Sequence, residues 1–198
     1  MRWASAVAEE ASLEAAIEGC AGAVARDLQG DRADLLVAFV SNHFAGRYAA
    51  LPGLLGRALP HRVLLGCSAA GIIGGGREVE QRPALSLTAA SLPQVHIAPF
   101  RVENGSLPNL DGPPEAWERL VGVTRRDRPS FLLLADPYSF RPEAWLAGLD
   151  FAFPGSIAPK RSRSHTSIWR VTQSSPESFI LCMAFLSVAS VWRVRLGL

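Results

Sequence analysis

The sequence predicts an α/β fold built on a mixed, twisted sheet flanked by helices, and three observations carry that prediction. Three short, nearly continuous apolar runs, at 34–41 (DLLVAFVS), 62–67 (RVLLGC) and 130–135 (SFLLLA), have the composition of strands covered on both faces. They alternate with segments whose apolar residues recur every three or four positions, which is the strand–helix rhythm of an α/β domain. Two further strand-like runs, 83–90 and 94–102, are separated only by Ser91, Leu92 and Pro93; so short a link implies an antiparallel pair, and hence a mixed sheet.

Taken in order, Trp3, Ser5 and Val7 alternate weakly as one side of a first strand. Ser12 is placed to cap a helix in which Leu13, Ile17, Cys20, Val24 and Leu28 form one face, closing near Gly30. The run 34–41 is a central strand. A second helix is expected over about 48–59, weakened by Pro52 and Gly53, and leads into the strand at 62–67. Beyond the glycines of 71–76 come the two strand-like runs already described. The stretch 104–114 is a loop whose final proline pair suits a helix start, followed by the apolar face of Trp117, Leu120 and Val121. After the strand at 130–135, Asp136, Pro137 and Tyr138 form a stop. A brief helix follows around 142–149, and 150–157 (DFAFPGSI) should begin another strand and turn.

Composition bounds the function. A chain of 198 residues, 48% hydrophobic, buries a real core, and its length suggests one domain with room for an appendage. The net charge of +2, from 20 basic and 18 acidic residues, lacks the basic dominance of a nucleic-acid binder. Cys20, Cys67 and Cys182 lie far apart without metal-ligand spacing, which fits a reducing compartment and calls for no metal and no cofactor. Glu9, Glu10, Glu14 and Glu18 stand where a secretory signal needs a basic start and an apolar run, so the reading is cytoplasmic.

No catalytic constellation stands out. The glycine-rich stretch 66–76 (GCSAAGIIGGG) follows a strand, so its backbone amides, with Ser68, Gly71, Gly74 and Gly75, are candidates to cradle a small ligand. Its ordinary alternative is a flexible turn between two strands. Gly66 and Gly71 have the spacing of a phosphate-binding loop, but Ile72 stands where the lysine belongs. Cys67 has no family signature of a nucleophile around it, with only His43, His61 and His96 as conceivable activators, and reads better as a small buried residue. Asn42 and His43 follow one strand and Asp136 ends another, positions where an open α/β sheet presents ligand-contacting groups, though Asn and Asp also stop strands without any ligand. Trp117 and Trp145 suit core packing.

The block 62–103, RVLLGCSAAGIIGGGREVEQRPALSLTAASLPQVHIAPFRVE, resembles the FIST domain, named for F-box and intracellular signal transduction proteins. RWASAVA at the start, DLLVAFVSNHF at 34–44 and FLLLADPYSF at 131–140 extend the likeness to about residues 2–159. The resemblance implies a non-catalytic sensory domain that binds a small molecule, amino acids among the candidates, and passes the signal to a protein partner. It supplies no ligand residue to carry across.

After Pro159 the composition changes. From Ser156 to Leu196 there is no glycine, and a basic, serine-rich stretch leads into an uncharged apolar run of fifteen residues at 178–192, shorter than the roughly 20 a spanning helix needs. The expectation is therefore a sensory domain at 1–159, incomplete on its carboxyl-terminal side, followed at 160–198 by a tail of unrelated sequence in which the α/β rhythm ends. The competing readings are an interaction or scaffold protein, tethered to a membrane only through 178–192, and, less favoured, an enzyme dependent on Cys67.

Overall fold

The computed structural model describes residues 1–102, 104–135, 142–155 and 180–186. Its contacts divide the chain near Pro93 into two units.

In the first unit, β1 (Arg2–Ala8), β2 (Ala33–Ser41), β3 (His61–Ala69) and β6 (Leu85–Ser91) form a sheet of order β1-β6-β2-β3. β6 runs antiparallel to both β1 and β2, while β2 and β3 are parallel, so the sheet is mixed as expected. β2 is central, and Leu35, Leu36, Val37, Ala38 and Val40, which point alternately to its two faces, are buried. The helix α1 (Leu13–Leu28) starts at Ser12, whose Oγ accepts from the Ala15 amide at 3.1 Å, and buries all five residues of its predicted stripe. It ends in a left-handed Gln29 followed by Gly30. α1 and the shorter helix α2 (Leu51–Ala58) cover one face, packing on Leu36, Ala38, Val40, Leu64, Leu85, Leu87 and Ala89.

Three expectations need correction here. The helix expected over 48–59 is a 3-10 turn at Asn42–Ala50 followed by α2; Pro52 lies in the first turn of α2, where its missing N–H is not needed, and so starts the helix instead of weakening it. The glycine stretch does not remain a turn. Gly71–Gly74 (β4) and Arg77–Glu80 (β5) form an antiparallel hairpin closed by Gly75 and Gly76, both at positive φ, the geometry of a tight two-residue hairpin turn. Ile72 and Val79 of this hairpin pack with Ala84, Val7, Phe39 and Ala69. Finally, the runs on either side of 91–93 do not pair: β6 belongs to the first sheet and β7 (His96–Val102) to the second unit. The mixed character of the sheet comes from β6 reversing against β2.

The second unit contains β7, β8 (Ser130–Ala135) and β9 (Ile180–Leu186) in the order β7-β9-β8, all parallel, with the helices α3 (Glu115–Val121) and α4 (Pro142–Ala152). Pro114 occupies the N-cap position of α3 without a side-chain cap, and Trp117 and Val121 are buried as the helical spacing predicts. α4 runs through residue 152, so the strand expected from 150 onward is corrected to the end of a helix, whose Leu149 and Ala152 remain on its buried side. β9, taken from the apolar run 178–192, pairs with β7 on one side and β8 on the other. Phe100, Trp117, Phe131, Trp145 and Phe153 form the core of this unit.

Candidate functional site

In the first sheet, β2 and β3 are the parallel pair, and the register Val40↔Ser68 and Ser41↔Ala69 brings their carboxyl ends level. Chain reversal after β2 starts at Ser41, which is buried and holds Ala84 from two sides: its Oγ accepts from the Ala84 amide at 3.0 Å, and its own amide donates to the Ala84 carbonyl at 2.9 Å. Asn42 and His43 follow immediately, both exposed, as the opening of the 3-10 turn.

The same turn carries Tyr48, half-buried, whose hydroxyl donates to the Ser41 carbonyl at 3.2 Å and lies 3.4 Å from Asn42 Oδ1. Burial raises the Tyr48 phenol above its ordinary value, opposed by a hydrogen bond with the Ser68 side chain. The phenol thus stays a donor at neutral pH and ties together Ser41, Asn42 and Ser68, residues from the ends of two adjacent strands.

Cys67 is level with Phe39 on β2, one residue before Ser68, and successive strand residues face opposite sides of the sheet. Ser68 therefore lies on the face covered by α1 and α2, and Cys67 on the other. Burial pushes the Cys67 thiol up to about 11, which leaves it protonated at neutral pH and a poor nucleophile. His61 stands at the opposite, amino end of β3, its Nδ1 2.7 Å from the Leu59 carbonyl.

The glycines take other positions. Gly71 and Gly74 lie in β4, and Gly75 in the hairpin turn. Gly74 comes so close to Ser86 and Val7 that any Cβ there would crowd their side chains, so its lack of a side chain serves packing. Of the residues selected from sequence, Asn42 and Ser68 are joined through Tyr48, His43 adjoins them, Cys67 turns to the other face, and Asp136 lies outside the described residues. Sequence reasoning missed Tyr48 and Ser41. The available signal was a phenol one or two turns beyond a strand whose last residue is a serine.

A separate open groove of about 400 Å³ lies between α1 and α2, lined by Ile17, Ala21 and Leu54, with Glu14, Glu18 and Arg57 among its polar residues. It contains none of the residues just described. Among the described residues no group of His, Cys, Asp and Glu could hold a metal ion.

Residues 34–159, well over half of the chain, match the family model described as FIST N domain. The match starts at the first residues of β2, so β1 and α1, expected to share the likeness, lie ahead of it. No curated protein and no solved structure matches the chain.

Proposed function

The chain belongs to the FIST N domain family, and from that premise we propose that it is a non-catalytic sensory module that binds a small molecule at the carboxyl ends of β2 and β3. The observation that carries this reading is the Tyr48 hydroxyl, which links Ser41, Asn42 and Ser68 where two parallel strands end. Asn42, with an amide donor and acceptor, and the exposed imidazole of His43 suit a ligand with both donors and acceptors, and free amino acids are such a class. The raised Cys67 thiol argues against a Cys67-dependent reaction. Cys20 and Cys67 are free thiols, in keeping with a reducing compartment, and we place the module in the cytoplasm, where it would pass its signal to a protein partner.

A second reading, an interaction or scaffold protein, draws on the open groove between α1 and α2. Its membrane-tethered form has less behind it, because Ile180–Leu186 of the apolar run is a strand and no helix among the described residues is long and apolar enough to cross a membrane.

Thermal melting of the full chain against a panel of amino acids tests the sensory reading. A ligand selective for the folded state raises stability by RT ln(1 + [L]/Kd), about 2.7 kcal/mol at a hundredfold excess over Kd. One amino-acid class should shift the transition upward, and Tyr48→Phe with Asn42→Ala should abolish that shift. A transition that no member of the panel moves would turn the assignment toward the scaffold reading.

A further inference from the structure

We infer that two copies of this chain associate through β1, edge to edge and antiparallel, about a twofold axis at Ser5. β1 and β3 are the two margins of the first sheet, each paired on one side only among the described residues. On β1, Trp3 is 57% exposed and Ser5 is exposed beside it. Sheets blunt an open margin with lysine, proline, a charge pointing inward or a bulge. From Trp3 to Ala8 there is no charged residue and no proline, and the register with β6 runs unbroken from Arg2↔Ser91 to Ala8↔Leu85.

The strand is also complementary to itself. Centred on Ser5, an antiparallel pairing sets Trp3 against Val7 of the second copy, Ala4 against Ala6, and Ser5 against Ser5. Trp3, Ser5 and Val7 share the face away from α1, so the outer pairs become aromatic–β-branched contacts of the kind that stabilise adjacent strands. Ala4 and Ala6 lie on the helix side, so both α1 helices would lie on one face of a continuous eight-stranded sheet. Arg77 reaches this margin: its Nη2 donates to the Val7 carbonyl at 3.3 Å, and a carbonyl with two lone pairs accepts a second donor.

Sedimentation equilibrium of the full chain at micromolar concentration should give a dimer. Ser5→Lys places two like charges directly opposite each other at the axis and should weaken association about fivefold or more, as should Ser5→Glu. Mixing the two variants should restore the dimer, because lysine then faces glutamate, and this rescue separates loss of the contact from loss of the fold. A wild-type chain that stays monomeric, a Ser5→Lys variant that associates as tightly as wild type, or a mixture no tighter than its components would each overturn the inference.

Discussion

The first unit fills its core with leucine, alanine and valine, with Phe44 as the one buried ring among the described residues of its main cluster, whereas the second depends on Phe100, Trp117, Phe131, Trp145 and Phe153. In the first, α1 supplies a regular stripe to a sheet whose face is mostly aliphatic, so each residue carries a modest share of the burial. In the second, Trp117 and Trp145 are fully buried with ring centroids 5.5 Å apart, and Phe100 lies 5.6 Å from Trp145. Fewer, larger side chains concentrate the stabilisation. The difference teaches that tolerance to substitution should be high on one side of Pro93 and low on the other.

The most severe test is Trp145→Ala, which should cost about 3–5 kcal/mol. Hydrogen exchange should show lost protection in β7, β8 and α3, and equal loss in β1, β2 and β6 would break the contrast. Next comes one substitution made in both units. A Cβ at Gly148 of α4 would run into the Trp117 ring, so Gly148→Ala should destabilise by about 1–3 kcal/mol. At Gly22 of α1 an added Cβ meets only the end of Arg26, at 3.8 Å, so Gly22→Ala should stabilise by about 0.5–1 kcal/mol through its better helix propensity. Denaturant midpoints moving in the same direction would refute the contrast.

The smallest effect concerns the turn before β8. Asp127 is held below the ordinary carboxylate range by the Thr124 amide and hydroxyl, which both donate to its Oδ2 at 2.8 Å. Because the folded value is lowered, its contribution is complete above the unfolded value and is lost as pH falls through the folded one. Asp127→Asn should therefore lower stability slightly at neutral pH and flatten the acid limb of the stability profile. A profile identical to wild type would show that this exposed pair contributes nothing.

Much of the first unit was legible because its signals are local. Ser12, the stripe from Leu13 to Leu28 and the run 34–41 each determine structure within a few residues of themselves. The hairpin of β4 and β5 was missed because glycine at 71 and 74 reads as loop in sequence, while its reason for being there, the approach of Ser86 and Val7, is a contact across the fold. The pairing of β6 and β7 failed because a three-residue link does not reveal that its two strands belong to different sheets. At the site, the sequence offered Asn42 after a strand and Ser68 within the glycine-rich stretch as separate candidates, and the Tyr48 bridge between them depends on register between β2 and β3, which no spacing in the sequence encodes. The apolar run at 178–192 gave no alternation to distinguish a strand from a membrane segment.

The central position of β9 has a consequence for biosynthesis. β7 and β8 are joined through β9 and not to each other, and β9 begins 45 residues after β8 ends (180 − 135). At roughly 5–20 residues per second, a ribosome adds those residues over about 2–9 s. During that interval the emerging chain holds two strands with unpaired edges and an apolar surface awaiting its middle member, a species on which chaperones can act and at which a stalled ribosome would leave an aggregation-prone nascent chain. The four strands of the first sheet, by contrast, have all been made by Ser91.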